Sequence, residues 1–156
     1  MKRAYSFLLA TCIALLICLP QGAYAYHYQG PEAELICLIN AERVKNGAAP
    51  LTQNWEVARV ARYKSEEMKR HGMLCHESLV YGSPAQQLTR FNVPHSVVGA
   101  NIAMGHETPR LVLDAWLNSQ NHYANLIDDK YTSAGVGLSI DDDGIFYWTL
   151  MLVKDS

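Results

Sequence analysis

The segment that most constrains the fold of this 156-residue chain lies near its C-terminal end. From residue 145 to residue 153, both alternating faces of an extended segment are apolar: Phe146, Trp148, Leu150 and Leu152 form one face, and Ile145, Tyr147, Met151 and Val153 form the other. A strand that is apolar on both faces is buried on both. We therefore expect a sheet that is covered by helices on each side.

The remaining pattern supplies the partners of this strand. The turn sequence 141–144, Asp-Asp-Asp-Gly, predicts a hairpin with a strand at 134–140, and residues 96–103 predict another strand. Helix starts are predicted at Pro31, after Asn54, at Ser83-Pro84 and at Thr108-Pro109. The sequence thus predicts an α+β fold, a three-layer α-β-α sandwich with a small, mainly antiparallel sheet.

The first 25 residues have the layout of a secretory signal peptide. Met1-Lys2-Arg3 is a positive head, residues 6–19 are apolar, and Ala23-Tyr24-Ala25 is a small-x-small cleavage site. A transmembrane anchor is the alternative, but the apolar run reaches only ~21 Å of the ~30 Å hydrocarbon core. Lipoprotein processing at Cys18 is another alternative, but Ile17 is bulky at a position where that processing needs a small residue. We predict a signal peptide at 1–25, a single domain at 26–156, and a secreted, extracellular protein.

Composition excludes several kinds of partner. Lys and Arg number 13 against 15 Asp and Glu, the formal net charge is -2, and no basic run exceeds two residues. Neither a nucleic acid nor an anionic membrane surface is therefore expected as a partner. No second apolar stretch is long enough to span a bilayer, so we expect no transmembrane anchor after signal cleavage.

Four cysteines are present, and two of them, Cys12 and Cys18, lie in the predicted signal peptide. Cys37 and Cys75 would remain in an oxidising compartment, where an even number of cysteines favours a disulfide. Such a bridge would tie the first two helices together. Two separate thiols and a nucleophilic Cys75 are the alternatives.

Histidines are the main candidates for chemistry, because no Gly-x-Ser-x-Gly elbow, phosphate-binding glycine loop or His-Glu-x-x-His helix is present. His76 follows Cys75, and His122 follows the Trp-bearing helix. Both are candidate metal ligands or catalytic groups, and an ordinary surface role is the alternative. The other four histidines have plainer explanations at a terminus, at a helix end or in loops.

Several segments together resemble the CAP superfamily (cysteine-rich secretory proteins, antigen 5 and pathogenesis-related proteins), in particular its bacterial SCP-domain branch. The matching segments are 38–43 (Leu-Ile-Asn-Ala-Glu-Arg), 76–78 (His-Glu-Ser), 99–103 (Gly-Ala-Asn-Ile-Ala), 115–126 (from Ala-Trp to Asn-Leu) and 135–137 (Gly-Val-Gly). Their order and spacing cover residues 34–153. The resemblance implies an α-β-α sandwich.

The resemblance also implies a cleft that gathers two histidines with one or two glutamates, and that binds a divalent metal in some members. By position, the histidines are His76 and His122, and the cleft includes Asn101 and Glu77. The glutamate of the family's Gly-Glu-Asn-Ile-Ala segment is Ala100 here. Two neutral imidazoles still hold zinc or another divalent metal weakly, with water in the open positions. Glu77 or Glu107 is a candidate replacement for the missing carboxylate.

Three functions follow, in order of preference. The first is a non-enzymatic binding module for an extracellular or cell-envelope partner. The second is a metal-assisted hydrolase that uses His76 and His122, and the absence of a base at Ala100 argues against it. The third is lipid or sterol binding, for which the sequence locates no groove.

Overall fold

The computed structural model describes residues 30–155, and the predicted signal peptide lies outside the described residues. Within 30–155, no helix combines the length and the apolar character needed to cross a bilayer. The elements of this range, in chain order, are α1 (Pro31–Lys45), β1 (Thr52–Gln53), α2 (Trp55–His71), α3 (Pro84–Arg90), β2 (Val97–Met104), α4 (Pro109–Leu117), α5 (Gln120–Ile127), β3 (Ser133–Ile140) and β4 (Phe146–Lys154).

The strands form one sheet in the order β1-β3-β4-β2. β4 is antiparallel to both β3 and β2, with Leu150 opposite Val136 on one side and opposite Asn101 on the other. β1 pairs with β3 in parallel through two residues. The sheet is small and mainly antiparallel, as predicted, and the strand that is apolar on both faces lies in its interior.

The two faces of β4 contact different helices. Trp148, Leu150 and Leu152 pack into the core that includes residues of α1 and α4. Met151 and Val153 pack against α2. The predicted α-β-α sandwich is confirmed: α1, α4 and α5 lie on one face of the sheet and α2 lies on the other.

Glycines in β3 allow α2 to lie directly on the sheet. A Cβ added at Gly135 would overlap the backbone of Ala58, and one added at Gly137 would overlap the backbone of Ala61 and Arg62. The Gly-Val-Gly segment therefore has a packing role, because only glycine permits this approach of helix to strand.

Two elements differ from the sequence prediction. Residues 52–53 form β1, a short strand that the sequence did not predict. Residues 120–127 form α5, which the sequence did not predict, and its N-terminal residue Ser119 makes no capping bond through its side chain. Contacts with other elements, described below, position α5 instead.

The predicted disulfide is not found in the structure, where Cys37 and Cys75 are both free thiols. Cys37 is exposed on α1, whereas Cys75 follows α2. The two helices approach each other where Arg62 donates to Glu32 at 2.8 Å, well before Cys75 in the chain. The bridge was predicted from the number of cysteines and the order of the helices, whereas in the structure α1 and α2 lie on opposite faces of the sheet.

Candidate functional site

The structure brings His76 and His122 together beside β2, the edge strand of the sheet. Their ring centroids lie 6.1 Å apart, with 38° between the ring planes. His76 belongs to the segment after α2, and His122 lies in the first turn of α5. Because α2 and α5 lie on opposite faces of the sheet, the two rings meet where the helical layers approach each other at this edge. The ring of Trp116 lies 6.5 Å from the ring of His122.

Hydrogen bonds to β2 hold His122 in place. The Asn101 side chain, which is fully buried, donates from Nδ2 to the His122 carbonyl oxygen at 3.0 Å. Its Oδ1 accepts from Asn125 Nδ2 at 2.9 Å. In the preceding helix, Trp116 donates from Nε1 to the Ile102 carbonyl at 3.0 Å. Asn101, which the resemblance placed in the cleft, thus lies behind His122 and positions it.

A buried ion pair in α2 positions the segment that carries His76. Lys64 Nζ lies 2.9 Å from Glu67 Oε2 and donates to the Glu77 carbonyl oxygen at 2.7 Å. Glu67 Oε1 accepts from Ser78 Oγ at 2.8 Å and from the Leu79 amide at 3.0 Å. The backbone that follows His76 is therefore bonded to two charged groups that are almost fully buried.

The sequence analysis missed this pair. Lys64 occupies the helical position between Ala61 and Met68 on the buried face of α2. A lysine in the middle of an apolar stripe, with Glu67 three residues later, is the signal that could have revealed a buried pair.

Both imidazoles titrate below the ordinary histidine range. Partial desolvation lowers the pKa of His76, and the charge of Lys64 lowers it further. Partial desolvation also lowers the pKa of His122, and the neighbouring His76 adds to the effect. For Glu67, burial alone would raise the pKa, but hydrogen bonds from Lys64 and Ser78 outweigh it and leave the pKa below its usual value. Near neutral pH the site therefore presents two neutral imidazoles beside the ion pair of Lys64 and Glu67.

No carboxylate from β2 reaches this site. Ala100 lies between Val98 and Ile102 on the face of β2 that packs towards α2. Glu77 and Glu107 are exposed. In the range 30–155, no three His, Cys, Asp or Glu side chains are arranged to hold a metal ion.

The separation of the two histidine rings can be compared with that of two rings bound to one metal ion. Two imidazoles on one tetrahedral ion, with metal–nitrogen distances of about 2.0–2.1 Å, have ring centroids roughly 5 Å apart. The observed separation of 6.1 Å is wider, so the rings would have to move closer together to share such an ion. Neutral imidazole is also the form that ligates metals.

A separate open groove of about 630 Å³ lies between the 78–82 turn and α3. Its lining includes Val80, Tyr81, Gln86 and Arg90, and neither His76 nor His122 contributes to it. The Tyr81 ring packs against Phe91 at 5.4 Å. This groove is thus distinct from the histidine pair.

The sandwich, the histidine pair near the edge of its sheet and the order of its segments define a class: the chain belongs to the cysteine-rich secretory protein (CAP) family, whose model matches residues 37–152. It is 39% identical to the uncharacterized protein YkwD of Bacillus subtilis over 118 residues, which cover 76% of this chain and 44% of that protein. It is 36% identical to the uncharacterized membrane protein YlbC of the same organism over 107 residues, 69% of this chain and 31% of YlbC. The chain therefore spans less than half the length of these relatives.

Solved structures show the same fold. An extracellular protein containing an SCP domain from Bacillus anthracis superposes with a TM-score of 0.74 at 28% identity, covering 81% of this chain and 41% of that one. An outer surface protein from Borrelia burgdorferi superposes with a TM-score of 0.73 at 21% identity, covering 79% of this chain and 91% of that one. The second likeness concerns the fold alone.

Proposed function

We propose that this chain is an exported, non-enzymatic binding module whose cleft at His76 and His122 binds a divalent metal ion weakly. The observation that carries the proposal is the pairing of two imidazoles at 6.1 Å, both with lowered pKa values. Two neutral nitrogens would supply two ligands, and water would complete the coordination.

The non-enzymatic part of the proposal rests on residue 100. A glutamate there would project from β2 into the region between the sheet and α2, where it could orient an imidazole or accept a proton. Alanine does neither. Of the nearby acids, Glu67 already accepts bonds from Lys64, Ser78 and the Leu79 amide, and Glu77 is exposed.

Export is supported by two independent observations. The N-terminal 25 residues have the three-part pattern of a signal peptide. Among the proteins of similar structure, one at 28% identity is described as extracellular. A partner in the cell envelope or outside the cell is therefore proposed.

Calorimetric titration of the chelator-treated chain with Zn²⁺ tests the metal site. We expect weak binding to one site, loss of that binding in the His76→Ala/His122→Ala double variant, and no loss in His95→Ala, because His95 bonds locally to the Val93 carbonyl. Ala100→Glu should tighten binding by adding a carboxylate. Absence of Zn²⁺ binding in the unaltered chain, or equal binding in the double variant, would overturn the assignment.

The same variants test the non-enzymatic part. We expect no hydrolysis of ester or peptide substrates above background with or without Zn²⁺. Hydrolysis that the unaltered chain performs and the double variant does not would contradict the proposal and favour the hydrolase.

A further inference from the structure

A second group of metal-ligating side chains lies where α2 ends. His71 is the last residue of α2, and Met73 and Cys75 follow at alternate positions. Gly72 adopts the left-handed conformation with φ of 60°, and the Met73 amide donates back to the Met68 carbonyl at 3.1 Å. This capping turn reverses the chain, so Met73 and Cys75 return towards the helix instead of leaving it.

The reversal brings these residues around one small space. His71, Met73 and Cys75 line a cavity of about 10 Å³, together with Met68. That volume is of the order needed for a single water or ion. Met68 is buried, Cys75 is half-buried, and His71 and Met73 are exposed. The cavity is therefore closed by the helix on one side and open to solvent on the other.

The donor set selects a particular class of ion. It consists of one imidazole, one thiol and two thioethers, and thiolate and thioether sulfur favour Cu(I) over Zn²⁺, Mg²⁺ or Ca²⁺. An ion that does not bind thioether sulfur would have only two of these ligands, His71 and Cys75. An ion that binds thioether sulfur would have at least three ligands, because Met73 would be added.

Local charge does not oppose a cation. Lys64 also lines the cavity, but its ammonium group is 2.9 Å from the Glu67 carboxylate, so this buried pair has no net charge. The acidic residue Glu77 lines the same cavity. A Cu(I) ion bound to the Cys75 thiolate would add no net charge.

We propose that His71, Met73 and Cys75, supported by Met68, form a Cu(I)-binding site that is separate from the His76–His122 pair. The two sites share no side chain, although Cys75 of one site directly precedes His76 of the other in the sequence. This site does not depend on the proposed function, and each can fail without the other.

Competition for Cu(I) under ascorbate tests the site. The full chain carries Cys12→Ser, Cys18→Ser and Cys37→Ser, so that Cys75 is its only thiol, and bathocuproine disulfonate reports free Cu(I) by absorbance. We expect one Cu(I) per chain, loss of binding in Cys75→Ser, and affinity lowered by about tenfold or more in Met73→Leu and in His71→Ala. Met73→Leu keeps the side-chain volume and removes only the sulfur.

Two controls decide the interpretation. The His76→Ala/His122→Ala variant should retain Cu(I) binding, and circular dichroism should show that every variant keeps the fold. Unchanged affinity in both Met73→Leu and His71→Ala would mean that Cys75 binds copper alone and would overturn the site. Loss of Cu(I) in the folded double-histidine variant would overturn it as well, because copper would then occupy the other pair.

Discussion

At the scale of single residues, the buried ion pair of Lys64 and Glu67 links the stability of α2 to the position of His76. Both side chains are almost fully buried, at 3% and 4% exposure. Each also bonds to the 77–79 segment. A buried pair of this kind contributes little net stability over an apolar pair, but the loss of one partner leaves the other charge unpaired in the interior.

Replacing Lys64 with methionine should therefore be costly. We expect Lys64→Met to lower the free energy of unfolding by about 3–5 kcal/mol, since Glu67 then remains buried without its cation. Lys64→Met combined with Glu67→Leu should recover part of this loss. Urea denaturation of the single and double variants measures both quantities, and a double variant no more stable than the single one would contradict the explanation.

The histidine pair should show coupled titration. The pKa of each imidazole is lowered in the folded chain, so below about pH 6.5 the unfolded chain binds protons first and these groups reduce stability, whereas above it they contribute nothing. We expect both NMR titration midpoints to lie below the ordinary histidine value. In His76→Gln the midpoint of His122 should move upward, because the charge of His76 is removed. An unchanged midpoint for His122 would show that the two rings do not interact.

At the scale of elements, α5 is held in place by the sheet more than by its own sequence. Its start makes no side-chain cap, and Asn101 of β2 bonds to the His122 carbonyl and to Asn125. The sequence predicted the helices whose ends are defined by local signals, such as the capping box at Ser83 and Gln86. It did not predict α5 because the bonds that fix this helix come from a strand that lies about twenty residues earlier.

Asn101→Ala should loosen α5. The variant loses the bonds of Asn101 to the His122 carbonyl and to Asn125, which we expect to cost about 2–3 kcal/mol. Hydrogen exchange should accelerate in residues 120–127 more than in α2. Asn118→Ala is the matched control, because the exposed Asn118 side chain bonds only to the nearby Asp114 carbonyl in the described range. Equal effects of the two substitutions would exclude the positioning role of Asn101.

The contact between α2 and β3 should be the least tolerant of added volume. We expect Gly135→Ala to destabilise the protein by about 3 kcal/mol or more, because its Cβ would overlap helix backbone that cannot move alone. Gly99→Ala should cost less, since its Cβ would meet the end of one side chain, that of Tyr131, instead of helix backbone. Thermal denaturation of the two variants ranks them, and a smaller loss in Gly135→Ala would contradict this packing argument.

At the scale of the whole molecule, the sheet lies between the helical layers that carry Cys37 and Cys75, which the sequence suggested were neighbours. At its edge it brings together His76 and His122, which are far apart in the sequence. The apolar pattern of 145–153 was sufficient to predict two helical layers. It did not determine how those layers meet at the sheet edges. That arrangement depends on strand order, and the order β1-β3-β4-β2 places β2 at the edge where His76 and His122 meet. The histidine pairing came from the family resemblance, whereas the predicted disulfide, which the structure does not show, came from cysteine count and helix order.

The separation of the two helical layers by the sheet predicts that the thiols of Cys37 and Cys75 contribute little to stability. Because Cys37 is exposed on α1 and Cys75 follows a helix on the opposite face, Cys37→Ser should change the free energy of unfolding by less than about 0.5 kcal/mol. The melting temperature of the unaltered chain should be the same with and without reductant, as a bridge across a long loop would add stability that reductant removes. Peptide mapping under non-reducing conditions provides the direct measurement. A peptide pair linked through Cys37 and Cys75 would contradict this arrangement of the layers, and it would also remove Cys75 as a ligand for Cu(I).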